Sequence, residues 1–223
     1  MIPTLRAFAY VLVILPVCLI AQQRGKSDLP DVSLTIKGDL VMPVSLKNPL
    51  FNSITETIGQ LGGCVQLPLW KGLGIGVGGN HTWWTIKERA LAPDINSGEI
   101  RRAVLFGKLQ YERYTGEQTF YEFNLRVGTS TYNYDCVGCA GATDPTLWWS
   151  LGLGYYVHAT ENLAFGLTIA YDASHSRFNA NDLGLTGFPG RKETEEASNY
   201  HNILIGLGFS TRLRKNERDV RGW

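Results

Sequence analysis

The chain has 223 residues, 21 basic against 20 acidic side chains, and 18% charged residues beside 25 glycines, 10 tyrosines and 6 tryptophans. One domain's length and a net charge of +1 supply no basic field, so nucleic-acid binding has no electrostatic support and no nucleic-acid partner is expected. So few charges among so many aromatics and glycines also set the chain apart from an ordinary soluble domain.

The first segment, MIPTLRAFAYVLVILPVCLIAQQ, carries one charge, Arg6, and then an apolar run from Ala7 to Ala21. That run suits a secretory signal peptide over 1–21 and is short for a spanning helix. Acylation at Cys18 is the competing reading, but Val17 stands where a small residue is expected, and a retained helical anchor is a further one. Removing 1–21 leaves 20 basic and 20 acidic side chains.

After residue 22 the recurring pattern is alternation with period two, which predicts strands. In the first, Leu34, Ile36, Leu40 and Met42 oppose Ser33, Thr35, Lys37 and Asp39. Next, Leu61, Val65, Leu67 and Leu69 oppose Gly62, Cys64 and Gln66. The third contains GIGVGG, which fits a dinucleotide-binding template. That fingerprint needs a strand that ends and a helix that begins at its glycines. Here alternation continues to Trp83, with Leu73, Ile75 and Val77 opposing Gly74, Gly76 and Gly78. The glycines are therefore expected to form a small-residue stripe that makes room for long charged side chains.

In the fourth strand Leu105, Leu109 and Tyr111 oppose Lys108, Gln110 and Glu112, with Val104 and Phe106 blurring the pattern. In the fifth, Tyr121, Phe123, Leu125 and Val127 oppose Glu122, Asn124, Arg126 and Gly128. The sixth sets Trp149, Leu151, Leu153, Tyr155 and Val157 against Ser150, Gly152, Gly154, Tyr156 and His158. The seventh sets Leu163, Phe165, Leu167, Ile169 and Tyr171 against Ala164, Gly166, Thr168, Ala170 and Asp172. The eighth sets Ile203, Ile205, Leu207, Phe209 and Leu213 against Asn202, Gly206, Gly208, Ser210 and Arg212, with Leu204 the exception.

Tight turns at 70–72, 114–118 and 160–162 alternate with longer polar segments near 47–57, 86–98, 135–145 and 179–197. This layout predicts an all-β fold: an eight-stranded antiparallel transmembrane β-barrel, an up-and-down meander with short periplasmic turns and longer extracellular loops. Its apolar face is expected to meet lipid, because the opposite face mixes long charges with glycines, as a crowded interior requires. Trp70, Tyr111, Tyr121, Phe165 and Phe209 below, and Trp83, Trp149 and Tyr171 above, suit interfacial girdles.

The Gly-aromatic strands LGLGYY and IGLGFS, within residues 31–213, resemble those of the small eight-stranded outer-membrane barrels of Gram-negative bacteria, such as the transmembrane domain of outer-membrane protein A. The resemblance implies the cell outer membrane, a porin-like cell-envelope architecture and insertion by the barrel assembly machinery. That machinery reads an aromatic residue closing the last strand. Here a charged periplasmic tail over 214–223 follows, so Phe209 or Trp223 would supply the signal.

Three groups of residues are candidates for function. Lys37, Asp39, Lys108, Glu112, Glu122 and Arg126 are expected to compensate one another in the lumen as a plug, or to line a narrow pore. His175, Arg177 and His201, with His175 placed across from His201, are expected at an outer rim facing lipopolysaccharide. Lipid A deacylases are barrels with an outward His-x-Ser, but position 177 is Arg, and Ser174 and Ser176 point the other way. Cys136 and Cys139 are expected to close a small loop disulfide, since no second C-x-x-C and no histidine pair completes a zinc site. Loop charges at Arg191, Lys192, Glu193, Glu195 and Glu196 offer a surface for a protein partner. No metal, cofactor or catalytic residue is expected. The leading function is a non-enzymatic barrel with a plugged lumen, for envelope structure, adhesion or docking. A small pore for little or apolar solutes and a lipid A-modifying hydrolase are the alternatives.

Overall fold

The computed structural model describes residues 34–46, 48–116, 118–160, 162–189 and 199–212. The expected leader with Cys18, the tail with Trp223, Leu213 and the loop charges over 191–196 lie outside the described residues, as does the Trp70 side chain.

Eight long strands close into one antiparallel barrel. They are β1 (Thr35–Ser45), β2 (Thr55–Trp70), β3 (Leu73–Ile86), β4 (Glu99–Tyr114), β5 (Thr119–Asp135), β7 (Thr146–His158), β8 (Leu163–Arg177) and β9 (Asn199–Arg212). A two-residue β6 (Gly141–Ala142) adds to β5 within the third long loop. Each long strand pairs with the next, and β9 returns to β1 from Thr35↔Arg212 to Ser45↔Asn202. Closure leaves no unpaired edge among the long strands, as a bilayer demands.

The alternation sorts side chains inward and outward in the sense expected of a membrane barrel. Within β4, Leu105 points outward and is 74% exposed, whereas Arg102 points inward and is 0% exposed. Leu40, Leu67, Val77, Leu109, Phe123, Leu151, Leu167 and Leu207 extend the outward apolar belt around the other strands. Such a surface is stable only against lipid. Val104 and Phe106 do not break the pattern, because they face inward and pack with Cys64 and Trp148 as an apolar layer inside the barrel.

The β2–β3 connection is a two-residue turn with positive φ at Lys71 (44°) and Gly72 (85°), the primed geometry that matches strand twist. The glycine stripe that follows has a different cause from the one expected. A Cβ at Gly76 would lie 2.6 Å from the Val65 carbonyl oxygen, and one at Gly74 would lie 2.9 Å from that of Leu67. The stripe therefore admits the β2 backbone. Gly74 also leaves room for the Gln110 side chain, whose Nε2 would lie 3.0 Å from a Cβ there, and other glycines accommodate further long side chains, Gly62 beside Asp39 and Gly154 beside the Tyr156 ring.

The long loops also differ from their polar expectation. The first contains α1 (Pro49–Ile54), begun by proline and capped by the Asn48 side chain, which accepts from the Phe51 amide at 3.1 Å. This helix buries Leu50, Phe51 and Ile54 over the extracellular end of the barrel. Phe51 makes edge contacts with Trp84, Phe178 and Tyr200 at centroid distances of 5.5, 5.3 and 5.1 Å. Leu91 and Ile95 from the second long loop and Ala180, Leu183 and Phe188 from the fourth join the same core. Cys136 and Cys139 form a disulfide that packs against it, and the Ala140 amide donates to the Asp182 carbonyl at 3.1 Å. Each loop supplies too few apolar groups to fold alone, and ring closure of the strands brings them together.

Candidate functional site in the barrel lumen

Inward-facing residues form stacked layers inside the barrel. In the lower layer the Lys37 ammonium contacts both Glu112 Oε1 and Glu122 Oε2. Lys108 Nζ lies 2.7 Å from Glu122 Oε1 and also donates to Gln66 Oε1. Gln66 Nε2 donates to Glu112 Oε1 at 3.0 Å and to Thr35 Oγ1 at 2.9 Å. Two lysines thus meet two glutamates, and the layer carries no net charge. Just above, Arg126 Nη1 pairs with Asp39 Oδ2 at 3.0 Å, and its Nε donates to Asn124 Oδ1 at 3.2 Å. The six lumen residues singled out in the sequence come together in this half of the barrel.

A further buried ion pair, Arg102 with Asp172, was not singled out. Arg102 Nη2 donates to Asp172 Oδ2 at 2.7 Å, to Gln60 Oε1 at 2.9 Å and to Thr82 Oγ1 at 3.2 Å. Asn202 Nδ2 donates to Asp172 Oδ1 at 2.6 Å, and Ser45 Oγ donates to Asn202 Oδ1 at 2.7 Å. Parity alone would have placed Arg102 inside, since it shares the face of Lys108 and Glu112. Its partner lies three barrel strands further along the chain, which parity does not reveal.

Below the lower layer, Tyr114, Phe120, Tyr156 and Ala164 form an aromatic cluster toward the periplasmic turns. Lys37 Nζ sits 5.1 Å from the Phe120 ring centre and 4.9 Å from that of Tyr156. Arg212 Nη2 donates to His158 Nε2 at 3.3 Å, while its guanidinium lies 5.1 Å from the Tyr114 ring centre. Cationic groups here rest on aromatic faces, an attraction that strengthens out of water.

The rim residues face outward. His175 and Arg177 are exposed on β8, and His201 Nδ1 lies 2.5 Å from the Tyr171 hydroxyl. His201 pairs in register with Ala173, not with His175, because the strand offset puts His175 two positions higher. Ser174 and Ser176 are buried on the opposite face from His175. Trp149 packs on Tyr171 at 5.4 Å, so an outer aromatic rim continues into His201. A further outward cluster joins Arg101 to Glu99 at 2.7 Å and to Asp135 at 3.4 Å. Among the described residues, no cluster of three or more His, Cys, Asp or Glu could hold a metal ion.

A closed meander with a charged, packed interior and an apolar exterior defines a small eight-stranded transmembrane β-barrel. Among solved structures, the chain is similar to Neisserial surface protein A, with TM-score 0.52 and 9% identity over 81% of this chain and 97% of that one. It also matches the outer-membrane protein OprG from Pseudomonas aeruginosa, with TM-score 0.49 and 12% identity over 83% of this chain and 99% of that one. Identities this low concern the fold alone. No protein-family model matches the chain. No curated protein matches its sequence.

Proposed function

We propose that this is a non-enzymatic outer-membrane barrel whose lumen is plugged, serving envelope structure, adhesion or docking through its extracellular end. The observation that carries the reading is charge compensation inside the barrel. Lys37, Lys108, Arg126 and Arg102 are matched by Glu112, Glu122, Asp39 and Asp172, each held by a direct ion pair. An ion entering this space would have to break one of these pairs at low effective dielectric. The hydrophobic cap of the loops covers the extracellular end, and the aromatic cluster occupies the periplasmic end.

Recording from the protein refolded into planar lipid bilayers tests the reading. No steady unitary conductance is expected. Reproducible unitary steps would establish the pore alternative instead.

The working surface is then the cap. His175 and Arg177 on the outer rim are suited to lipopolysaccharide phosphates, and a protein partner would meet the loops. Insertion by the barrel assembly machinery belongs to the same proposal. The absence of enzymatic activity is supported by the serines beside His175, which are buried where its imidazole does not point. Mass spectrometry of lipid A from cells with and without the protein is expected to give one profile, and a changed acylation pattern would overturn the non-enzymatic reading.

A further inference from the structure

The geometry points to a single buried water molecule as a fixed component of the lumen, held between Gln60 and Asp39. Gln60 is 1% exposed. Its Oε1 accepts from Arg102 Nη2 and from Thr82 Oγ1, both at 2.9 Å. A guanidinium can only donate, so the orientation of this amide is set and Nε2 must point away from Arg102. Nε2 has no partner among the described side chains. Asp39, 8% exposed, gives Oδ2 to Arg126, while its Oδ1 has no partner either. Both residues line one small cavity in the middle of the barrel, together with Asn124, Arg126, Thr168 and Ala170.

The chemistry of the two orphan atoms selects the occupant. It must accept from an amide N–H and donate to a carboxylate oxygen. A metal cation cannot accept, and an anion without hydrogen cannot donate. The nearest charges, Arg126 and Asp39, already neutralise each other, so no net field draws an ion. The cavity measures about 20 Å3, which is room for about one water. A water that accepts from Gln60 Nε2 and donates to Asp39 Oδ1 satisfies both atoms at once. It also joins the upper network of Ser45, Asn202, Asp172, Arg102 and Gln60 to the lower one of Asp39, Arg126, Asn124 and Glu122. One hydrogen-bonded system then runs through most of the lumen, which goes beyond the plugged-lumen reading and holds independently of bilayer conductance.

Water-selective NOE and ROE spectra of the protein refolded in detergent micelles test this site. The Gln60 side-chain amide protons, identified by their loss in Gln60→Met, are expected to show water cross-peaks with the sign of a tightly held molecule. Cross-peaks that are missing, or that carry the sign of fast-exchanging solvent, overturn the assignment. Ala170→Val gives a second measure, since the added methyls would occupy the cavity. With a resident water the cross-peaks disappear and the urea midpoint falls, because two buried polar atoms lose their partner. A midpoint that rises, as when a dry cavity is filled, overturns the proposal.

Discussion

Arg102 Nη2 lies 2.7 Å from Asp172 Oδ2, and neither side chain has any solvent-exposed surface. This pair ties β4 to β8 across the barrel. Removing one partner leaves a buried charge with nothing opposite it, a change that costs about 3–5 kcal/mol. Asp172→Leu is expected to lower the unfolding free energy in lipid vesicles by that amount. The double variant Arg102→Met/Asp172→Leu is expected to recover most of the loss. Equal losses in the single and double variants would show that the two charges do not act as a pair.

Cys64 is buried inside the barrel, with Lys108 Nζ 3.9 Å from its Sγ. In a plugged lumen this thiol is out of reach of aqueous reagents. A Cys18→Ser variant, folded in micelles, is expected to react with a charged maleimide at least tenfold more slowly than in denaturant. Comparable rates in the two conditions would mean that the lumen admits solutes.

Phe51 is the centre of the loop cap, with three edge-on aromatic neighbours. Truncating a buried phenylalanine costs about 3–5 kcal/mol where its surroundings cannot collapse. The cap is built on loops, so Phe51→Ala is expected to loosen the extracellular end and leave the barrel intact. Limited chymotrypsin digestion is expected to cut the variant's loops faster, while its mobility shift on boiling in detergent persists. Loss of that heat shift would show that cap and barrel fold as one unit.

Asp182 lies in the fourth long loop, where burial raises its carboxyl above the usual aspartate range against the opposing hydrogen bonds from Asn179 and Tyr134. An acid whose folded pKa is raised holds its proton more tightly folded than unfolded. Stability is therefore greatest below both values and falls as pH rises through the window just above the ordinary aspartate pKa. Proteolysis of this loop is expected to quicken through that window in the native protein. In Asp182→Asn the rate is expected to stay flat across that window, and a variant that keeps the wild-type rise would assign the effect to another group.

Most of the strands were legible because a strand exposes alternate residues to two environments, and a membrane barrel makes those environments as different as possible. Leu151, Leu153 and Tyr155 face lipid while Ser150, Gly152 and Gly154 face the interior, and each residue reports its side directly. Lys37, Glu112 and Glu122 were identifiable for the same reason. Parity says nothing about depth relative to a distant strand, so the Arg102–Asp172 pair was not anticipated. The cap was missed because Leu50, Phe51, Leu91, Ile95 and Phe188 are scattered through loop stretches with no period to reveal them.

The sequence by itself determined the strand order, the inward and outward faces, the short and long connections, and so the membrane barrel. All of these follow from local alternation and turn chemistry. Only the tertiary structure decided which charges meet, where an apolar layer interrupts the lumen, and that loops far apart in the chain form one core. It also gave GIGVGG its reason, since Gly76 is small because the β2 backbone passes too close for a Cβ. That distance arises from register and twist when the barrel closes, and no local pattern contains it.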